Sequence, residues 1–168
     1  MRDVAERVMA PLTGSLVDVL VGATTDVFEK MVFRQLQPRN TVWGHAVRPK
    51  SQIVGTVGFA GSSSGLVAFH ASMAAAQEIT SAMLGADGDA DSLPDAIGEV
   101  TNMVAGAFRT RMAAFQDAWA ISVPTVTIGS DFYIKPISTG DRVLVTFAMD
   151  AHELFVELII TPHTGATV

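Results

Sequence analysis

An acidic residue and an amide residue stand three positions apart past the middle of a chain of 168 residues. Glu99 and Asn102 belong to the run Glu-Val-Thr-Asn-Met-Val-Ala-Gly. In a helix, residues at i and i+3 project side by side, so the carboxylate and the carboxamide would be presented together to a neighbouring molecule. An amide can accept a hydrogen bond from water and donate another to an oxygen atom without transferring a proton. We therefore take this pair as the candidate functional site.

The segment around the pair has the pattern of a helix. Ser92 and Asp95 have the spacing of a capping box, and Pro94 suits a first turn, where its missing N–H costs little. Further along, mostly apolar residues recur at steps of three and four: Ile97, Thr101, Val104, Phe108, Met112 and Phe115. Such a stripe predicts the buried side of the helix.

The opposite side of this helix is predicted to be polar and unusually bare. It carries Asp95, Glu99, Asn102, Gly106 and Arg109, with Gly98 and Ala105 on one flank and Met103 beside the pair. Glycine inside a helix costs roughly 1 kcal/mol relative to alanine, and small residues let the backbone of another molecule come close. We expect partner contacts at Asp95, Gly98, Met103, Gly106 and Arg109. Two solvated polar residues on an amphipathic helix remain an open alternative.

Three segments resemble a known family. Residues 99–106 resemble the signature helix of the CheX branch of the CheC/CheX/FliY family, phosphatases that act on the chemotaxis response regulator CheY. Residues 23–31 and 54–61 add to the likeness, which spans about residues 12 to 160. CheC-like relatives carry two Glu-x-x-Asn motifs and CheX-like relatives carry one. Because residues 16–23 of the first helix contain no such motif, the resemblance favours the CheX type.

The resemblance implies a hydrolase that works together with its substrate protein. In the family, the acid pairs with an invariant lysine of the phosphorylated regulator, and the asparagine orients water for attack on the aspartyl phosphate. By motif position, Glu99 would anchor the partner and Asn102 would position the water. The resemblance implies no cofactor of the chain's own, because the receiver domain supplies Mg²⁺. An aspartyl phosphate is already reactive, so placement of the nucleophile is the main ingredient still required.

Composition limits the class of protein. A length of 168 residues and an apolar content of 49% predict a single domain over residues 1–168, with 1–11 as an N-terminal arm. The net charge of −6 argues against a nucleic-acid partner, since basic residues form only one loose patch at Arg34, Arg39, Arg48 and Lys50. Cysteine is absent, so no disulfide or thiolate chemistry is expected. The interleaved charges of the N-terminus and the lack of a long apolar run predict a cytoplasmic protein with no membrane span.

The order of predicted elements suggests the fold class. The pattern predicts a helix over 12–34, an edge strand within 42–47, a hairpin of 53–59 and 66–70, a helix over 73–84, the signature helix, and strands at 119–128, 132–136, 143–149 and 154–160. This order predicts an α+β fold with two long helices and a shorter one packed on a largely antiparallel sheet. By resemblance it is a CheC-like fold. Relatives can dimerise through strand edges, so a homodimer is possible if 143–149 or 154–160 lies outermost.

A calcium loop is the first competing site. Asp87, Asp89 and Asp91 have the alternate spacing of such a loop. However, its sixth position would be Ser92 instead of glycine, and its twelfth would be Gly98 instead of glutamate. We therefore predict no metal site there and interpret the acids as an acidic loop near a helix N-terminus.

Other catalytic patterns are weaker still. The glycine- and serine-rich run 61–65 joins two predicted strands and lacks the lysine of a P-loop, so it is interpreted as a hairpin turn. The histidines are dispersed, none at metal-ligand spacing from another, and are interpreted as ordinary surface or strand residues: His45, His70, His152 and His163. No Gly-x-Ser-x-Gly elbow is present, although a Ser-His-Asp site stays open.

Three functions stay in competition at this stage. The first is a phosphatase that dephosphorylates a CheY-like receiver domain. The second is a non-catalytic module that binds a receiver domain or a flagellar switch component, because one fold can serve both purposes. The third is an enzyme acting on a small molecule, which would require a concave pocket.

Overall fold

A computed structural model of the chain describes residues 13–85, 89–114, 119–135, 137 and 140–162. Its elements, in chain order, are α1 (Thr13–Val27), a π-helical turn (Phe28–Val32), β1 (Gln37–Trp43), β2 (Ser51–Ala60), β3 (Ser63–Ala71), α2 (Met73–Leu84), α3 (Leu93–Met112), β4 (Ala120–Ile121), β5 (Thr125–Phe132), β6 (Asp141–Met149) and β7 (His152–Pro162). None of the helices within these ranges is long and apolar enough to cross a membrane.

The strands form one antiparallel sheet in the order β1-β6-β7-β3-β2-β4, and β5 also pairs with β2. The three helices pack on one face of this sheet, with α3 in contact with both α1 and α2. Apolar side chains from the helices and from alternate strand positions meet in a single core between the two layers. The predicted α+β fold is therefore confirmed.

The buried side of α3 is also as predicted. Ile97, Val104 and Phe108 are almost fully buried, as are Thr101 and Met112, whereas Phe115 lies outside the described residues. Where α3 crosses β2, the sheet carries Gly55, and a Cβ atom there would overlap Thr101 Oγ1. The helix therefore lies directly on the backbone of the strand, which fixes the side that it presents outward.

The start of α3 differs from the predicted capping box. Ser92 makes no capping bond to the helix; its hydroxyl donates to Asp89 Oδ1 at 2.6 Å, and its N–H donates to the same oxygen at 2.9 Å. A capping serine accepts from a backbone N–H of the first turn and needs an extended backbone, whereas Ser92 has helical angles of φ −85° and ψ −15°. These hydrogen bonds from Ser92 lower the pKa of Asp89 below its ordinary value. Pro94 occupies the first turn, as predicted.

Several predicted boundaries were wrong. The first helix leaves α geometry after Val27 and continues as the π-helical turn, which ends at Phe33. The predicted strand 119–128 is two strands, because Pro124, which has no N–H to donate, lies in the break between β4 and β5. The expected strand 132–136 is not formed: β5 ends at Phe132, residues 133–135 are irregular, and residue 136 lies outside the described part of the chain.

The two strands proposed for edge pairing are interior strands. β6 lies between β1 and β7, and β7 lies between β6 and β3. The outermost strands are instead β1 on one side and β4 with β5 on the other. Pairing of two copies through 143–149 or 154–160 is therefore not possible without breaking the sheet. Homodimer formation itself stays a prediction.

A buried polar chain ties the face opposite the helices together. β1 and β2 are separated by three strands, so the connection Gly44–Lys50 must cross the sheet. Arg142 Nη1 donates to the carbonyl oxygens of Gly44 and Val47 at 2.8 and 2.7 Å, and its Nε donates to Glu157 Oε1 at 2.7 Å. The neighbouring residues Arg142 and Val143 point to opposite faces of β6, and Val143 belongs to the helix-side core. The crossing connection therefore runs over the helix-free face.

The same polar chain continues to β2. Glu157 Oε2 lies 3.0 Å from Nε2 of His70, whose Nδ1 lies 2.9 Å from Ser51 Oγ. Burial alone would raise the pKa of Glu157, but the hydrogen bonds from His70 and Arg142 bring that pKa below its ordinary value. His70 is a strand residue, as expected, but it is 1% exposed and part of a network that the spacing of histidines in the sequence did not reveal.

Candidate functional site

Glu99 and Asn102 lie on the outward side of α3. Glu99 is exposed and Asn102 is half-buried. Neither side chain forms a hydrogen bond or an ion pair with another residue in the described ranges. Since they stand at i and i+3, their Cβ atoms are about 5–6 Å apart. An acid and an amide are thus available together to a second molecule.

The surroundings of the pair are open toward the C-terminal half of α3. Asp95 is exposed, while Met103, Gly106 and Arg109 are half-buried. A Cβ atom added to Gly106 would meet no described atom within 4 Å. Gly106 lies one turn beyond Asn102 on the same side, so the helix has a bare notch next to the amide.

The expectation for Gly98 was wrong. Gly98 is buried, and a Cβ atom added to it would lie 3.4 Å from Val126 Cγ2 and 3.7 Å from Pro124 Cγ. Strand β5 and the residue before it therefore cover this flank of α3. Ala105 on the same flank is also buried, at 3% exposure. The small residues of this flank pack against the chain itself, which leaves Gly106 as the glycine on the open side of α3.

Helix α1 runs antiparallel beside α3. In the last turn of α3, Arg111 Nη2 donates to Asp26 Oδ2. Two residues after Asp26, the ring of Phe28 packs 5.7 Å from that of Phe69. Phe69 is the cross-strand neighbour of Gly55, which lies beneath the first half of α3. The end of α1 and its π-helical turn therefore reach the end of the sheet above which the first half of α3 lies, and α2 contacts both the turn and α3.

Two exposed apolar residues near α3 were missed at the sequence level. Val123 is 82% exposed and stands between Ser122, whose N–H donates to Gly58 O at 2.9 Å, and Pro124, which contacts Gly98. Phe33 at the end of the π-helical turn is 68% exposed. The apolar periodicity of a single sequence does not show which isolated hydrophobic residues stay in solvent, so no signal pointed to either one.

The described residues offer little other chemistry. No group of three or more His, Cys, Asp or Glu within them is placed to hold a metal. Ser51, His70 and Glu157 do form a serine-histidine-acid chain, but they are 2%, 1% and 2% exposed. A substrate cannot reach this serine unless the sheet opens. The hydrogen-bonded series of three residues therefore has a structural role. The arrangement on α3 differs, because it leaves two polar groups accessible and unbonded within the described ranges.

Helices on one face of an open antiparallel sheet, with an exposed acid-amide pair on α3, make this a CheC-like α+β protein. The family model described as chemotaxis phosphatase CheX matches residues 53–148, which is more than half of the chain. The chain therefore belongs to the CheX family. No curated protein matches it significantly.

This chain aligns with nearly the whole length of several solved structures that share its fold. A chemotaxis protein CheX from Desulfovibrio desulfuricans is 25% identical with a TM-score of 0.81, covering 88% of this chain and 99% of that chain. CheX from Vibrio vulnificus is 22% identical with a TM-score of 0.81 and the same coverage. CheX from Borrelia burgdorferi, solved as a complex with CheY, BeF3 and Mg²⁺, is 20% identical with a TM-score of 0.71, covering 86% of this chain and 97% of that chain.

Proposed function

We propose that this protein is a phosphatase that removes the phosphoryl group from a phosphorylated, CheY-like receiver domain. The observation that carries the proposal is the acid-amide pair on the open side of α3, which makes no bond to the described chain although each group could. Membership of the CheX family supports the reaction class. The B. burgdorferi CheX structure supports the choice of partner, since that protein was solved with CheY.

Each member of the pair has its own role in this proposal. Glu99 anchors the partner by pairing with a cation near the phosphorylation site. Asn102 enters the partner's active site, where its amide accepts a hydrogen bond from the attacking water and donates one to a phosphoryl oxygen. The receiver domain supplies Mg²⁺, so the chain needs no cofactor of its own. Because the acyl phosphate is reactive and the metal neutralises charge, orienting the water accounts for most of the acceleration.

The rest of the docking surface lies along the same side of α3. We propose that the partner contacts Asp95, Met103, Gly106 and Arg109, and that the notch at Gly106 receives part of its backbone. Gly98 is left out of this surface because β5 covers it. The helix is a firm support, since its inner side packs directly on Gly55 of β2. A rigid helix fixes the backbone position of Asn102, so only its side chain has to be ordered when the partner binds.

Phosphate release under multiple-turnover conditions tests this function. Candidate receiver domains are phosphorylated with a small-molecule phosphodonor and incubated with wild-type protein or with Asn102→Ala. The wild type should accelerate release, and the variant should lose about a hundredfold or more of that acceleration, a loss usual for a positioned catalytic hydrogen bond. Asn40→Ala, which removes an exposed amide from the outer strand β1, is the matched control and should behave as the wild type.

Two results would contradict the proposal. An unchanged rate for a folded Asn102→Ala would remove the water-positioning role. Complex formation with no release of phosphate by the wild type would replace the phosphatase with a binding module for receiver domains.

A further inference from the structure

Phe33 combines two features that are unfavourable for the isolated chain. Its backbone is left-handed, with φ 58° and ψ 37°, a conformation in which the Cβ atom crowds the backbone. Glycine or asparagine usually ends a helix in this way. Its aromatic side chain is also 68% exposed, so no burial within the described chain compensates for the strain. A glycine would serve the fold better at this position.

The aromatic side chain is nevertheless presented on a fixed base. The N–H groups of Phe33 and Arg34 both donate to the carbonyl oxygen of Phe28, whose own ring is fully buried. Arg34 Nε is bonded to Glu78 Oε1 of α2 at 3.2 Å. π-helical turns are rare and often occur at functional sites, and strained residues cluster there too. The local structure therefore holds an exposed apolar group in place.

The position of Phe33 relates it to the acid-amide pair. The π-helical turn and the signature helix α3 both contact α2, and the end of α1 reaches the same end of the sheet as the first half of α3. Neighbouring helices pack about 8–10 Å apart, so two elements that each contact α2 lie within roughly 20 Å of each other. A domain of about 100 residues has a radius of gyration of about 13 Å. A partner seated on Glu99 and Asn102 is thus wide enough to cover the end of α1.

We propose that Phe33, with Met31 beside it at 47% exposure, is a second docking contact for the same phosphorylated receiver domain. This inference rests on the proposed function. The aromatic ring packs on an apolar part of the partner's surface and sets how tightly the partner is held. Phe33 is a positioning residue, since it does not touch the phosphoryl group. Its loss should therefore change KM and leave kcat unchanged.

Phe33→Gly separates a docking role from a structural one. It relieves the left-handed strain, so Tm should rise by roughly 2–5 °C. KM for the phosphorylated receiver should rise about tenfold at constant kcat, as expected for an interface residue that contributes moderately to binding. Asp131→Gly is the matched control, because Asp131 is also left-handed, with φ 53°, but lies at the end of β5. It should change Tm less than Phe33→Gly does, because aspartate tolerates a left-handed backbone better than phenylalanine, and it should leave KM unchanged.

Other results would overturn the proposal. A fall in Tm for Phe33→Gly would mean that the ring serves the fold. An unchanged KM for Phe33→Gly, while Asn102→Ala is inactive, would reject the second contact and retain the phosphatase. If Asn102→Ala keeps full activity, both proposals fail. A homodimer that dissociates in Phe33→Gly at unchanged KM would assign the ring to a second copy instead. Phe33→Asn, which tolerates the left-handed backbone, repeats every comparison should the glycine variant not fold.

Discussion

The helix-bearing face of the sheet and the face opposite to it both carry polar side chains, but in different bonding states. On the helix-free face, Glu157 is 2% exposed and bonded to both Arg142 and His70. On the helix-bearing side, Glu99 is exposed and bonded to no described residue. A buried carboxylate must be compensated, whereas an exposed one need not be. In this chain, complete hydrogen bonding therefore marks the polar residues that hold the fold together, and an unbonded acid such as Glu99 has the state that the proposed docking role requires.

The comparison predicts that the two sites fail in different ways when they are mutated. Changes in the buried network should lower stability and leave the intrinsic activity of the folded fraction intact. Changes on α3 should lower activity or docking and leave stability intact or improved. A variant of the buried network that lowers the activity per folded molecule would weaken this distinction. A variant on α3 that lowers stability would weaken it too.

Arg142→Ala should have the largest effect on stability. It leaves the buried Glu157 carboxylate without its guanidinium partner and frees the carbonyl oxygens of Gly44 and Val47. Breaking a buried pair in this way typically costs about 3–5 kcal/mol. The free energy of unfolding, measured by urea denaturation, should fall by about that amount. Lys50→Ala, in the same connection but exposed, should change it by less than about 0.5 kcal/mol.

Activity of the remaining folded fraction is the second measurement for Arg142→Ala. Phosphate release per folded molecule should match the wild type, because the network lies on the face away from α3. A specific loss of turnover at full stability would contradict the division of the molecule into a structural and a functional face.

Glu99→Ala should have an intermediate effect, confined to docking. Removing the acid should raise KM about tenfold, equivalent to about 1.4 kcal/mol, and the defect should shrink at saturating receiver concentration. Because the group is exposed, added salt should reduce the difference between the variant and the wild type. Glu153→Ala, an exposed acid on β7, is the control and should leave KM unchanged. A fall in kcat with unchanged KM would assign Glu99 to the chemical step instead.

Much of the fold followed from local patterns. The bounds of α2, the hairpin of β2 and β3, and the buried side of α3 all depend on residues close together in the chain, and all were predicted. The features that were not predicted depend on contacts between residues that are far apart in the sequence. The flank at Gly98 is covered by Pro124 and Val126, and the network around His70 requires the pairing of β3 with β7. A periodic pattern carries no information on such contacts.

The candidate site shows the same limit. Glu99 and Asn102 could be located because an i, i+3 pair and the opposite apolar stripe define each other on one helix. Phe33 could not, since a left-handed aromatic residue at the end of a π-helical turn contradicts local preference. Strained positions of this kind are where sequence rules are expected to fail at functional sites.

Gly106→Ala should have the smallest effect on docking of the three variants expected to weaken it. Its expected combination of changes cannot be explained by folding alone. The methyl group would enter open space, and alanine favours a helix by roughly 1 kcal/mol over glycine. The free energy of unfolding should therefore rise by about that amount. If the notch receives the partner's backbone, KM for the phosphorylated receiver should rise severalfold in the same variant. Greater stability with weaker docking is the expected combination.

Gly98→Ala provides the matched control on the same helix. Its added methyl group would make ordinary contact with Val126, beneath the cover of β5, and would not change the outward surface. It should be neutral to stabilising and leave KM unchanged. If both variants leave KM unchanged, Gly106 is not part of the docking surface. If both raise KM equally, flexibility of α3 is what docking requires, because the two substitutions share only the loss of a helical glycine.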